Sequence, residues 1–143
     1  MLSNTATVSA AGLDINPVNS ATATTTLSAY NICILYDPTH AVKSGAVIPI
    51  RFELCNSSGA DISSSSIVVT ATSVVQVSTQ TTDTVEDAGN SNPDNNFRFS
   101  STIGSSGGYI FNLGTAGLTT GTYNLNFTVG NSPQTYSVPF QAK

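Results

Sequence analysis

Apolar and polar residues alternate along most of this chain with the period of a β-strand. The clearest case begins at Leu118. Leu125, Phe127 and Val129 alternate with Asn124, Asn126 and Thr128. After Gly130-Asn131-Ser132-Pro133, Tyr136, Val138 and Phe140 alternate with Thr135, Ser137 and Pro139. Successive strand side chains point to opposite faces, so this stretch predicts a hairpin with one face in a core and one in water. Upstream, Ile48, Ile50, Phe52 and Leu54 alternate with Val47, Pro49, Arg51, Glu53 and Cys55. The first set is expected inside. Pro49 falls in the outward set, which a strand tolerates at an edge or a bulge.

Other strands follow the same logic. Ile32, Ile34 and Tyr36 alternate with Cys33 and Leu35 until Asp37-Pro38 ends the run. The segment SIVVTATSVVQVST supplies one or two strands, with Val68, Thr70, Val74 and Val75 prominent. FRFSSTI places Phe97 and Phe99 on one side and Arg98 on the other; YIFNL alternates Tyr109, Phe111 and Leu113. TQTTDTVEDAGNSNPDNN between them is polar and has no apolar period, so it reads as a long loop. About eight strands after Tyr30, with turn residues between them and no helical period, predict an all-β sandwich with Greek-key connections. Thr5 to Ser28 is β-prone but poor in large apolar residues, so residues 1–29 read as an extension or the end of a preceding module. Residues 30–143 read as the domain proper.

Composition narrows the classes. Of 143 residues only 8% are charged, and Ser and Thr make up more than a quarter of the chain. Hydroxyls and amides, rather than charges, keep this surface wet. With four Lys and Arg against eight Asp and Glu, no phosphate-neutralising patch is expected, so nucleic acid is an unsuitable partner. No run of apolar residues approaches the length of a spanning helix, so membrane insertion is not expected. The start of the chain lacks the basic and apolar regions of a signal peptide. The two cysteines, Cys33 and Cys55, suggest one disulfide formed in an oxidising compartment; two buried thiols are the alternative. If the strands around them form a hairpin centred at Ser44, Cys33 falls directly opposite Cys55 and Leu35 opposite Glu53.

Three phrases together resemble one family. CILYDPTHAVKSGAVIPIRFELCNSSG resembles the start of the PxKF domain, with Pro49-Ile50-Arg51-Phe52 in place of Pro-x-Lys-Phe. DAGNSNPDNNFRF resembles that family's Asn-rich loop and following strand. YIFNLGTAGLTTGTYNLNFTV with YSVPFQAK resembles its closing strands. The resemblance covers residues 31–143. It implies an Ig-like sandwich of about seven to nine strands in bacterial secreted or cell-surface proteins. Pro49, Arg51, Phe52 and Tyr123 are then structural, and Tyr123 looks like the strand-start tyrosine whose hydroxyl bonds backbone at a corner.

Candidate chemistry is sparse. His40, the single histidine, has Asp37 and Ser44 near in sequence, but no nucleophile-elbow motif accompanies them. No catalytic residue is assigned. Asp87, Asn90, Asn92 and Asp94 crowd one loop and offer the oxygen donors that Ca²⁺ needs, though not at EF-hand spacing. Asx-turns explain the same residues without a metal. Arg51 and Glu53 share a strand face at spacing two, which allows an ion pair of little worth if exposed; a solvated sheet face is the other reading, for Arg98 as well. A carbohydrate-binding module would show exposed aromatics; Trp is absent, and Tyr30 and Tyr36 are the candidates. The expected function is a non-catalytic structural or adhesive module whose partners are neighbouring domains or identical subunits. A fibre subunit donating its N-terminal segment as a strand is the alternative, and a carbohydrate binder a further one.

Overall fold

The computed structural model describes residues 2–7, 20–25, 29–88 and 93–143. Eleven strands are present among these: β1 (Leu2–Thr7), β2 (Ser20–Thr25), β3 (Asn31–Ile34), β4 (Ala41–Val42), β5 (Val47–Cys55), β6 (Val69–Gln76), β7 (Thr82–Asp83), β8 (Arg98–Ser100), β9 (Gly108–Gly114), β10 (Gly121–Val129) and β11 (Thr135–Ala142). A single 3-10 turn, Pro93–Asn95, precedes β8. Strands β1 and β2 pair with each other as a two-stranded antiparallel sheet. The other nine form two sheets, in the orders β3-β5-β9-β8 and β4-β11-β10-β6-β7.

These orders are those of an immunoglobulin domain. Strands β3, β5, β9 and β8 take the places of A, B, E and D, and β11, β10 and β6 those of G, F and C. The chain is therefore an Ig-like Greek-key β-sandwich carrying an N-terminal hairpin. The inward faces are those expected from alternation. Ile48, Ile50, Phe52 and Leu54 of β5 meet Leu125, Phe127 and Val129 of β10 in one core. The Phe52 and Phe127 rings stack across the two sheets at 4.8 Å, and Phe97 wedges beside both. Each such fully buried side chain stabilises the fold by about 1.5–3 kcal/mol.

Strand β6 departs from simple alternation. Val69 and Ala71 point inward, then Val74, so the inward set changes parity. Asn126 pairs with Ser73, but its neighbour Phe127 pairs with Ala71, leaving Thr72 as the extra residue of a β-bulge. One strand results where one or two were expected, and Val68 is 54% exposed at its start rather than part of the core.

The connection from β3 to β5 also differs from the expected hairpin. After Ile34 the chain leaves its sheet, and β4 joins the other one, parallel to β11. Lys43-Ser44-Gly45 is a turn, but it links β4 to β5. Strand β3 still pairs antiparallel with β5, with Cys33 opposite Glu53 and Asn31 opposite Cys55. The register is thus two residues away from the one expected. The Cys33–Cys55 disulfide forms nonetheless, as a diagonal bond with Cα atoms 6.1 Å apart. Cross-linking residues 22 apart stabilises the fold by about 3 kcal/mol in the chain-entropy model. It ties neighbouring strands of one sheet. At the core position two residues after Tyr123, where antibody domains place the second inter-sheet cysteine, stands the fully buried Leu125.

Candidate functional site

The departure of the chain after β3 builds a concavity. Leu35 N–H donates to Arg51 O at 2.9 Å, the last link of β3 to β5. Asp37 then turns the chain: its carboxylate accepts from the Thr39 hydroxyl at 2.6 Å and the Thr39 amide at 2.9 Å. Those two bonds hold the Asp37 carboxyl below the usual aspartate range. Between the departing loop and the vacated edge of β5 lies a groove of about 240 Å³, lined by Tyr36, Asp37, His40, Val42, Ile48, Pro49 and Arg51. Tyr36 is half-buried there and its hydroxyl donates to Pro139 O at 2.7 Å. Burial raises its pKa well above the ordinary tyrosine value.

Pro49 now has a physical explanation. Backbone groups of a strand alternate in direction, and Arg51 O faces β3. Two residues earlier, Pro49 faces the same way, where β3 has already gone. Its missing N–H costs no ladder bond, and it denies the free edge a donor.

At the other end of β5 the outward face is covered. Glu53 is only 8% exposed. The amide and hydroxyl of Ser105 both donate to Glu53 Oε1, the latter at 3.1 Å. A Cβ on Gly104 would fall 1.8 Å from that oxygen, and Gly104 has φ +70°, so glycine alone admits this approach. Asp61 continues the arrangement, accepting Ser106 N–H at 3.0 Å and Ser63 N–H at 2.8 Å. Burial opposes its ionisation, but these bonds outweigh it and lower its pKa. The Arg51–Glu53 ion pair that the spacing allows is therefore replaced: Glu53 holds the β8–β9 turn, while Arg51 stays exposed in the groove.

The other expected residues fall as follows. Tyr123 is buried, and its hydroxyl donates to Thr119 O at 2.9 Å, the corner bond expected of an Ig-like strand start. Phe52 lies at the centre of the aromatic cluster. Asp37, His40 and Ser44 form no relay: Asp37 is taken by Thr39, and the Ser44 hydroxyl donates to Thr115 O at 3.4 Å. Asn90 and Asn92 lie outside the described residues. Asp87 bridges to Leu113 of β9, and Asp94 is exposed in the 3-10 turn with φ 55°. Among the described residues no group of three or more His, Cys, Asp or Glu is placed to hold a metal ion. Neither Tyr30 nor Tyr36 is a flat exposed platform: Tyr30 packs edge-on against Tyr136 at 6.3 Å, and Tyr36 is bound as above.

Two features escaped the sequence reading. Thr115 is fully buried and its hydroxyl donates to Ala46 O at 2.6 Å, pinning the β4–β5 turn; a lone threonine in a loop gives no sign of this. Arg51 and Arg98 both stand directly across from Ile110. Residues so far apart in the chain meet only once strand order is known.

The fold and these surfaces define an Ig-like module with one intra-sheet disulfide. No protein family, curated protein or solved structure matches the chain. Among the described residues no helix is long and apolar enough to cross a membrane.

Proposed function

We propose that this chain is a non-catalytic structural or adhesive module of a secreted or cell-surface protein, of the PxKF kind, acting outside the reducing cytosol. The observation that carries this reading is the Cys33–Cys55 disulfide at the edge of an Ig-like sandwich. Structural disulfides persist in oxidising compartments. The polar shell fits the reading: the outward residues of β10, Thr122, Asn124, Asn126 and Thr128, are uncharged. The buried Glu53 and the partly exposed Asp61 carboxylates both accept hydrogen bonds from the module's own backbone, which fits a structural role. The test is surface exposure. Intact cells bearing the native parent protein are treated with protease and a membrane-impermeant thiol reagent. The reading expects release of this segment with both cysteines blocked as a disulfide. Protection from the protease, or reagent-reactive thiols, would overturn it.

A second reading, a fibre subunit, is favoured by the N-terminal hairpin. Strands β1 and β2 form a sheet of their own, whose two outer edges carry no partner among the described residues. An isolated two-stranded hairpin is marginal in water, so edge-to-edge pairing with another subunit stabilises it. The unit offered is then a hairpin, not a single donated strand. Light scattering of the full chain distinguishes the readings: concentration-dependent polymers support the fibre, and a monomer at all concentrations removes it.

A further inference from the structure

The geometry points to the outer face of the β3-β5-β9-β8 sheet as a docking surface for an acidic polysaccharide, held by Arg51 and Arg98. This inference rests on the adhesive reading above. Arg51 of β5 and Arg98 of β8 both lie directly across from Ile110 of β9, so the three form one row over the sheet. Both arginines are exposed and Ile110 is half-buried, while their neighbours Ile50, Phe52, Phe97, Tyr109 and Phe111 turn into the core. Two strand spacings put the two arginine Cα atoms roughly 10 Å apart.

The row is unneutralised in a chain with twice as many acids as bases. Among the described residues neither guanidinium makes an ion pair. Glu53, two residues from Arg51, is turned into the Ser105 backbone; Asp37 keeps its charge beside Thr39 and lines the groove at the Arg51 end of the row, so the anion contact is carried by the sheet face. Glu86 lies over Gly114, at the far end of β9 from Ile110. Guanidinium forks match carboxylates in two parallel hydrogen bonds.

The shape selects among acidic partners. Arg51, at one end of the row, also lines the groove, where Pro49 and the Tyr36 ring offer an apolar wall for a sugar face. An acidic peptide adding as a strand meets Pro49 on the vacated edge, which withholds the donor such pairing uses. A linear polymer with carboxylates at regular intervals fits a flat row of two fixed cations. Two contacts bind weakly, and the repeating polymer supplies many equivalent sites.

The experiment measures binding of the full chain to polygalacturonate by titration calorimetry at low salt, with neutral dextran and a poly-glutamate peptide alongside. Polygalacturonate is expected to bind and dextran not. Arg51→Gln and Arg98→Gln should each weaken binding about three- to tenfold, as expected for an exposed charged contact, and Lys43→Gln should not. A tenfold rise in salt should weaken it by more than about tenfold. Both arginines are exposed, and unchanged thermal unfolding of the variants verifies that they fold. No binding of polygalacturonate, or equal binding by the double variant, overturns the inference. So does poly-glutamate binding as tightly through the same arginines, which assigns the row to acidic protein. If the double variant still adheres to the native host's surface as wild type does, this docking surface is wrong while the adhesive reading stands. If protease shaving fails, the adhesive reading falls by itself.

Discussion

Tyr123 keeps its ring on Phe140, at 5.5 Å, and uses its hydroxyl on Thr119 O. Tyr123→Phe preserves the ring and strands that carbonyl. It should cost about 1–2 kcal/mol in urea unfolding at unchanged m-value; no change would mean that water replaces the bond. Asp61 carries the pH prediction. Its carboxyl is held below its unfolded value of 3.8 by the Ser63 and Ser106 amides. A depressed carboxyl contributes stability above the unfolded pKa and loses it as pH falls through the folded one. Thermal midpoints should therefore drop from pH 5 toward pH 2, and the gap between wild type and Asp61→Asn should close over that range. A gap that stays constant with pH would remove Asp61 from the acid response.

Elements show where pattern reading succeeds and where it stops. Strands β5, β9, β10 and β11 were legible because a strict two-residue alternation survives in them. Leu125 faces Val138 and Phe127 faces Tyr136, as the closing hairpin demanded. Strand β6 was blurred because Thr72 shifts the parity midway. Deleting Thr72 would turn either Val69 and Ala71 or Val74 to solvent, and should destabilise the domain by more than about 3 kcal/mol. A near-neutral deletion in urea unfolding would mean that the bulge is not needed for core register. The two-residue β4 was illegible for another reason. Ala41-Val42 is too short for a period, and its partner, β11, lies some hundred residues away. The disulfide was legible as a pair, yet its register was not, because the hairpin assumed around Ser44 is a crossover between sheets. The groove and the arginine row follow from that crossover and from strand order, so no local motif announces either. Pro49 was the visible trace: a proline in an otherwise regular strand marks an edge left open.

At the scale of the whole molecule, the sandwich and the N-terminal hairpin share no sheet. The first sandwich strand begins at Asn31, and Tyr30 is anchored by its amide to the Tyr136 hydroxyl at 3.2 Å. A chain starting at Ala29 should fold with the same near-ultraviolet dichroism and a thermal midpoint within about 4–8 °C, the shift expected for 1 kcal/mol. A molten product would show that the hairpin belongs to the core. The disulfide has a mechanical meaning for a module that links other things. A pull applied at Tyr30 and Lys143 enters at Cys33 and passes through sulfur directly to Cys55. Once the domain has opened, the residues between them, β4 included, stand outside the line of force. Under tension the oxidised domain should release about 70–80 Å less chain than the reduced one, the extended length of those 22 residues. Single-molecule stretching with and without reductant reads that difference directly. Reduction then acts as a slack reserve, lengthening the tether before it breaks.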